Sequence, residues 1–236
     1  MLVSDLIAQV RSELQEASPG YWSNDELLSW LNLAEADYIN RTRLLEDKAT
    51  MTTVAGRVDY PLPSNWMSTK MVWYHKPDEG GVDHQWMLMP TNLEKMAEET
   101  QDPLTTSTTK RDDPSAFWIW GKTLNLKPPP KDDGHTVTML YESKPIPLTQ
   151  LTDSLNVDDS LADGPRNYVL WHAWLKEGET DRAMQAKAEY ESCVRDGLRY
   201  KKKQMGNLAR SIDIRTSKPL QGTSRSVGSN PFYYNP

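Results

Sequence analysis

The sequence predicts an α+β protein: an α-helical bundle with an inserted β-rich domain, a small sandwich or barrel, and an extended C-terminal arm. Three observations predict it. Apolar residues recur at helical spacing near both ends of the chain. Between about Thr50 and Leu148 the composition shifts to Thr, Val, Trp, Tyr and Pro, the residues of strands and their turns. Beyond Met205-Gly206 no period remains. The expected boundaries are 1–49 and 149–204 for the bundle, 50–148 for the insertion and 205–236 for the arm. No internal repeat is present.

The first helix is expected over 3–15, with Val3, Leu6, Ile7, Val10 and Leu14 on one face. "SPG" at 18–20 ends it. Ser23 and Glu26 form an S-x-x-E capping box ahead of the next apolar run, with Tyr21 and Trp22 placed to staple it. That helix continues through Leu27, Leu28, Leu31, Ala34, Tyr38 and Ile39 to about Leu45. In the insertion, 52–63 alternates around Gly56 as a hairpin does, 69–77 reads as a strand and 85–90 as another. Residues 91–100 suggest a short helix capped by Thr91 or Asn92, and 101–115 a polar loop. "AFWIWGKTLNLKPPP" (116–130) reads as strand, Gly-Lys turn, strand, stopped by three prolines; 135–145 is a strand expected to pair beside it. Asp163-Gly164-Pro165 starts a helix over 166–177, since proline is tolerated in the first turn. After the turn at Gly178, a long helix is expected from Thr180 to Gln204, with Ala183, Ala186 or Lys187, Tyr190, Val194 and Leu198 on one face. It would span roughly 35 Å at 1.5 Å per residue.

Composition narrows the function. The chain has 236 residues, enough for a proper core, yet only 37% are hydrophobic and the mean hydropathy is −0.70. Nine tryptophans and ten tyrosines against two phenylalanines favour half-buried and interface positions, because these side chains join an apolar body to a polar tip. A single cysteine, Cys193, excludes an internal disulfide framework and points to assembly inside a cell. The first residues, "MLVSDLIAQVRSEL", carry charges within their apolar run, unlike a signal peptide or membrane span. Net charge is −6 but unevenly placed. From Arg195 onward there are nine basic and two acidic residues, a balance of +7, which leaves −13 on the remainder. An acidic body thus carries a basic arm.

No catalytic constellation stands out. His75, His84, His135 and His172 are scattered, with no metal-ligand spacing. There is no phosphate-binding glycine loop and no nucleophile elbow. The "DD" pairs at 112–113, 132–133 and 158–159 read as solvated turns. No catalytic, cofactor-binding or metal residue is therefore assigned. "RYKKKQ" (199–204) is the one basic cluster. It suits a helix C-terminus, a protein-docking surface, or phosphate tracking. A carboxylate pair for glycoside cleavage is available in any acidic chain. Two functional readings thus stay open: a cell-wall hydrolase, and a nucleic-acid-binding module using the basic C-terminal segment.

Four stretches in a fixed order carry a resemblance: "GYWSNDELLSWLNLAEADYINRTRLL" (20–45), "TTVAGRVDYPLPSNW" (52–66), "AFWIWGKTLNLKPPP" (116–130) and "YVLWHAWLKEGETDRAMQAKAEYE" (168–191). Over roughly 1–200 the chain resembles the head-to-tail adaptors of short-tailed bacteriophages, the tail-tubular-A or head-completion class. The resemblance implies a non-enzymatic virion protein of the head-tail junction, assembled in the host cytoplasm. It implies a homo-oligomeric, dodecameric ring below the portal protein, holding the tail nozzle or tube on its far side and giving genomic DNA a channel without specific binding. No membrane and no cofactor is implied. A closed ring gives each subunit two different interfaces, which fits a Trp- and Tyr-rich hydrophilic chain. The arm is expected to bind portal or neighbour, with Arg210, Arg215, Lys218 and Arg225 meeting acidic groups and Phe232, Tyr233 and Tyr234 as anchors.

Overall fold

Apolar positions at 3.6-residue spacing build four α-helices among the described residues of a computed structural model, which cover 1–16, 18–77, 83–92 and 112–216, with backbone alone for 204–216. Helices α1 (Val3–Glu13) and α2 (Asn24–Thr42) open the chain. The Ser23 side chain accepts a hydrogen bond from Glu26 N at 3.2 Å, as the capping motif requires. Trp22 is buried ahead of it, with Tyr21 edge-on. After the insertion come α3 (Asp163–Glu177), closed by left-handed Gly178, and α4 (Thr180–Thr216). Residues 205–216, expected to begin the extended arm, thus continue the helix, twelve residues past its expected end. The fold divides into a first unit, Met1–Lys201, and a second that begins at Lys202 and, among the described residues, consists of the rest of α4.

Between α2 and α3 lie eight strands in two four-stranded sheets. One has the order β1-β8-β3-β4, from β1 (Glu46–Thr52), β8 (Thr136–Ser143), β3 (Trp66–Pro77) and β4 (Asp83–Met87). The other has the order β2-β7-β6-β5, from β2 (Asp59–Pro61), β7 (Thr123–Lys127), β6 (Ala116–Trp120) and β5 (Met89–Pro90). Both feed one apolar cluster: Val72, Tyr74, Val137, Met139 and Tyr141 from the first sheet, Tyr60, Phe117, Leu124 and Leu126 from the second. This is the face-to-face packing of a small sandwich.

Three strand expectations need correcting. The run 52–63 is not a hairpin: β1 pairs with β8 and β2 with β7, so the turn at Gly56 (φ 77°) is a corner between sheets. Helix α2 ends at Thr42, about three residues before its expected end, and strand β1 begins ahead of the expected insertion boundary; its residues Glu46–Thr52 are largely exposed and carry no clear apolar alternation. Strand β8 pairs with β1 and β3, not beside the β6–β7 hairpin. The run 85–90 changes sheet at Leu88, giving β4 to one and β5 to the other. The short helix expected over 91–100 falls almost wholly outside the described residues.

The helices bury a second, separate cluster, centred on Leu6, Val10, Leu27, Leu31, Ala34, Tyr38, Ile39, Val169, Ala173, Ala183, Tyr190 and Val194. Tyr38 is its pivot. It is fully buried, its hydroxyl donates to the Cys193 carbonyl at 3.3 Å, and burial raises its phenol to about 12. The ring fits because Gly164 on α3 and Gly197 on α4 have no side chains. A Cβ on Gly164 would stand 2.6 Å from Tyr38 Cε2, and one on Gly197 2.7 Å from Tyr38 Oη. Leu198, expected on the apolar face, is 39% exposed; the face rotates to present Gly197 and Lys201.

Candidate functional site

Three polar devices on α2 and α1 position everything else. Asn32 behaves like a short piece of strand: its Nδ2 donates to the Leu148 carbonyl at 2.9 Å and its Oδ1 accepts from Leu148 N at 2.7 Å. One turn on, Glu35 is 1% exposed and accepts from Asn156 N (2.8 Å) and Asn156 Nδ2 (2.6 Å). Burial raises the Glu35 carboxyl, against the opposing pull of hydrogen bonds from Asn156 and Val157 N. Together these residues clamp the chain returning from the sandwich. At the other end, buried Arg11 bonds Glu16, the Trp22 carbonyl and Asn24, and so fixes the α1–α2 turn. We expect Arg11→Ala to lower stability by about 2–3 kcal/mol, since Glu16 and Trp22 C=O lose a charged partner; a urea midpoint unchanged from wild type would refute this.

The joint between helices and sandwich is small and combines a polar network with the apolar Leu44, Leu45 and Met67, which pack on the helical cluster. At the C-terminus of α2, Arg43 adopts the left-handed conformation (φ 56°), more often filled by glycine. Its N–H caps Ile39 C=O at 2.8 Å and its own carbonyl accepts from Lys201 Nζ. Lys201, part of the basic cluster at 199–204, is 9% exposed. Its ammonium also pairs with Glu142 at the end of β8, and Glu142 accepts from Ser68 Oγ at 2.7 Å. Burial pushes the Glu142 carboxyl up, but the bonds from Lys201 and Ser68 outweigh it and hold the group below the usual carboxylate range. Met67 of β3 packs on the helical cluster beside this network.

Aromatic and apolar surfaces complete the picture. His172 lies among Trp30, Tyr168 and Trp171, and burial lowers its pKa. Tyr190 donates to Asp37, and Arg41 makes a two-bond pair with Glu191 at 2.6 and 2.9 Å. The outer face of the β1-β8-β3-β4 sheet exposes Met71 and its cross-strand partner Leu140 beside Met87, which pairs with Trp73. Trp120 stands 61% exposed at the β6–β7 turn.

Of the residues assigned to the arm, Arg210 and Arg215 lie on the backbone of α4. Lys218, Arg225, Phe232, Tyr233 and Tyr234 lie outside the described residues. No group of three or more His, Cys, Asp or Glu that could hold a metal occurs among the described residues. One groove, about 620 Å³, has Glu16 as its only carboxylate, engaged by Arg11 and by Tyr21 N and Trp22 N. In another, about 380 Å³, Glu13 lies 3.7 Å from Arg166 and Glu189 accepts from Gln185. Among the described residues no helix is long and apolar enough to cross a membrane.

Helices and a two-sheet sandwich, joined by a narrow network, carry exposed aromatic and apolar surface available to other proteins. The SU10 adaptor protein family matches residues 1–212, and the chain belongs to that family. It is a phage adaptor, a component of the virion. No curated protein matches the chain.

Proposed function

We propose that this adaptor forms a ring under the portal protein, joins it to the tail and leaves a channel for DNA. Membership of the SU10 adaptor family over 1–212 carries this reading. The charge distribution supports it: the −13 borne by the residues before Arg195 suits a channel wall that repels phosphate, so DNA slides without sticking. Electron microscopy of virions lacking the protein tests the role. Filled heads that leak DNA or lack tails are expected; normal tails would refute it.

The segment from 205 onward is the proposed contact with portal or neighbour. Its four basic residues set approach and register, and Phe232, Tyr233 and Tyr234 anchor it. The 20 residues after Thr216 reach at most roughly 70 Å if fully extended. Truncation after Gln204 should remove only the last turns of α4, residues 205–216, and leave the other helices intact, while assembly onto portal-bearing heads falls at least about tenfold, the factor for roughly 1.4 kcal/mol. Wild-type assembly by the truncated chain would show that the segment is not the anchor. The helical part and the insertion are proposed as separate domains, supported by their separate apolar clusters.

A further inference from the structure

We propose that Glu142 and Lys201 are the two halves of a latch that fixes the β sandwich on the helices, and that releasing it lets the sandwich tilt about its two chain crossings. This does not depend on the ring reading.

The crossings lie side by side. The chain enters the sandwich through 43–45 and leaves it through 144–146, and Ser143 N donates to the Leu45 carbonyl at 3.0 Å. Two adjacent single-strand connections make a hinge, because φ and ψ changes in a few residues re-aim the whole body beyond them. What resists the motion is narrow. Leu44, Leu45 and Met67 pack on the helical cluster at the joint. Beyond them stand Glu142, Lys201, Arg43 and Ser68.

The network has the chemistry of a catch. Lys201 grips both sides at once: the Arg43 carbonyl ends α2, and Glu142 ends β8. Side-chain exposure is 11% for Lys201 and 14% for Glu142, so the pair is nearly dry when closed. A buried ion pair holds a particular geometry more than it adds stability, since each charge must first be stripped of water. On opening, water replaces those bonds and Met67 parts from the helical cluster, whereas the buried members of the two apolar clusters have no such substitute and stay together. Opening therefore separates the bodies without unfolding either.

Acid should open it. From α4, Glu142 faces Lys201; from the α2 terminus, Arg43, at 3.9 Å; from β3, Ser68 and, more distantly, Lys70; on β1, Glu46 pairs with Lys70 and lies opposite Glu142 in register. Lys201, Ser68 and Lys70 favour the carboxylate; Glu46 opposes it, with its own charge taken up by Lys70. The latch is thus held above the ordinary carboxylate range and lost as pH falls through the depressed Glu142 value.

The test is a spin-label distance between Met184→Cys on α4 and Lys122→Cys on the sandwich, in a Cys193→Ser background. Both sites are exposed. Glu142→Gln and Lys201→Met should each at least double the width of the distance distribution at neutral pH, with helical circular dichroism unchanged. Lys201→Arg should stay narrow. The parent should broaden on acidification and Glu142→Gln should not respond. Parent-like width in both Glu142→Gln and Lys201→Met overturns the latch. If those variants do not fold, the parent decides: a width constant through the acid range, with helical signal retained, overturns it too.

Discussion

Gly164→Ala is expected to destabilise the protein by about 2–3 kcal/mol, a fall of roughly 5–10 °C in Tm. The new Cβ meets the Tyr38 ring carbons, and a fully buried ring wedged between α2, α3 and α4 has nowhere to turn. Gly197→Ala should cost less, about 1–2 kcal/mol, because alanine recovers about 1 kcal/mol of helix propensity in mid-helix. The two differ in a further, sharper way. At Gly197 the nearest obstruction is the Tyr38 hydroxyl, at Gly164 the ring itself. Tyr38→Phe should therefore relieve part of the Gly197→Ala penalty and none of that at Gly164. Equal relief at both sites in a double-mutant cycle would show that this account of the packing is wrong.

Glu35→Ala is expected to cost about 3 kcal/mol, because Asn156 N and Nδ2 lose their buried carboxyl acceptor in one step. Urea denaturation measures it, and a loss under about 1 kcal/mol would mean that water takes over the clamp. The pH dependence has a definite sign. Burial raises Glu35 above its unfolded value, so its contribution is full below that value and is lost as pH rises through the folded one. The stability gap between wild type and the non-titrating Glu35→Gln should be wider at about pH 4 than at about pH 7. A gap that narrows toward acid would reverse the assignment.

The helices were legible in the sequence because their burial follows a period that one strand of text displays. Val3 to Leu14, the Ser23 cap, Leu27 to Ile39 and the Gly178 stop all fall where spacing puts them. The β6–β7 hairpin was equally clear, since Gly121-Lys122 separates two apolar runs. Sheet membership was not. Gly56 and Leu88 mark places where the chain changes sheet, and a corner between sheets has the same local composition as a hairpin. Strand β1 was hidden because an edge strand is defended by charge, here Glu46, Asp47 and Lys48. The clamp and the latch were invisible for another reason. Asn32, Glu35 and Lys201 draw their meaning from partners more than fifty positions away, and alone each reads as an ordinary polar helix residue.

The adjacency of Leu45 and Ser143 also bears on how the chain reaches its native state. The helical cluster is assembled from the two flanks of the insertion; Arg41 and Glu191, for example, are 150 positions apart. Closing a loop of that length in an unfolded chain carries a large entropy penalty, growing as (3/2)RT ln n. A sandwich already folded holds its own ends together and shortens the effective loop to roughly fifty residues, a saving of about 1 kcal/mol. We expect the strands to gain structure before α2 finds α3 and α4. In pulse-labelled hydrogen exchange, amides of β3 and β8 should be protected ahead of those in α2; simultaneous protection would argue for a single concerted step. On the ribosome the same geometry makes the sandwich the first part able to fold, with α1 and α2 waiting exposed until the last third of the chain emerges.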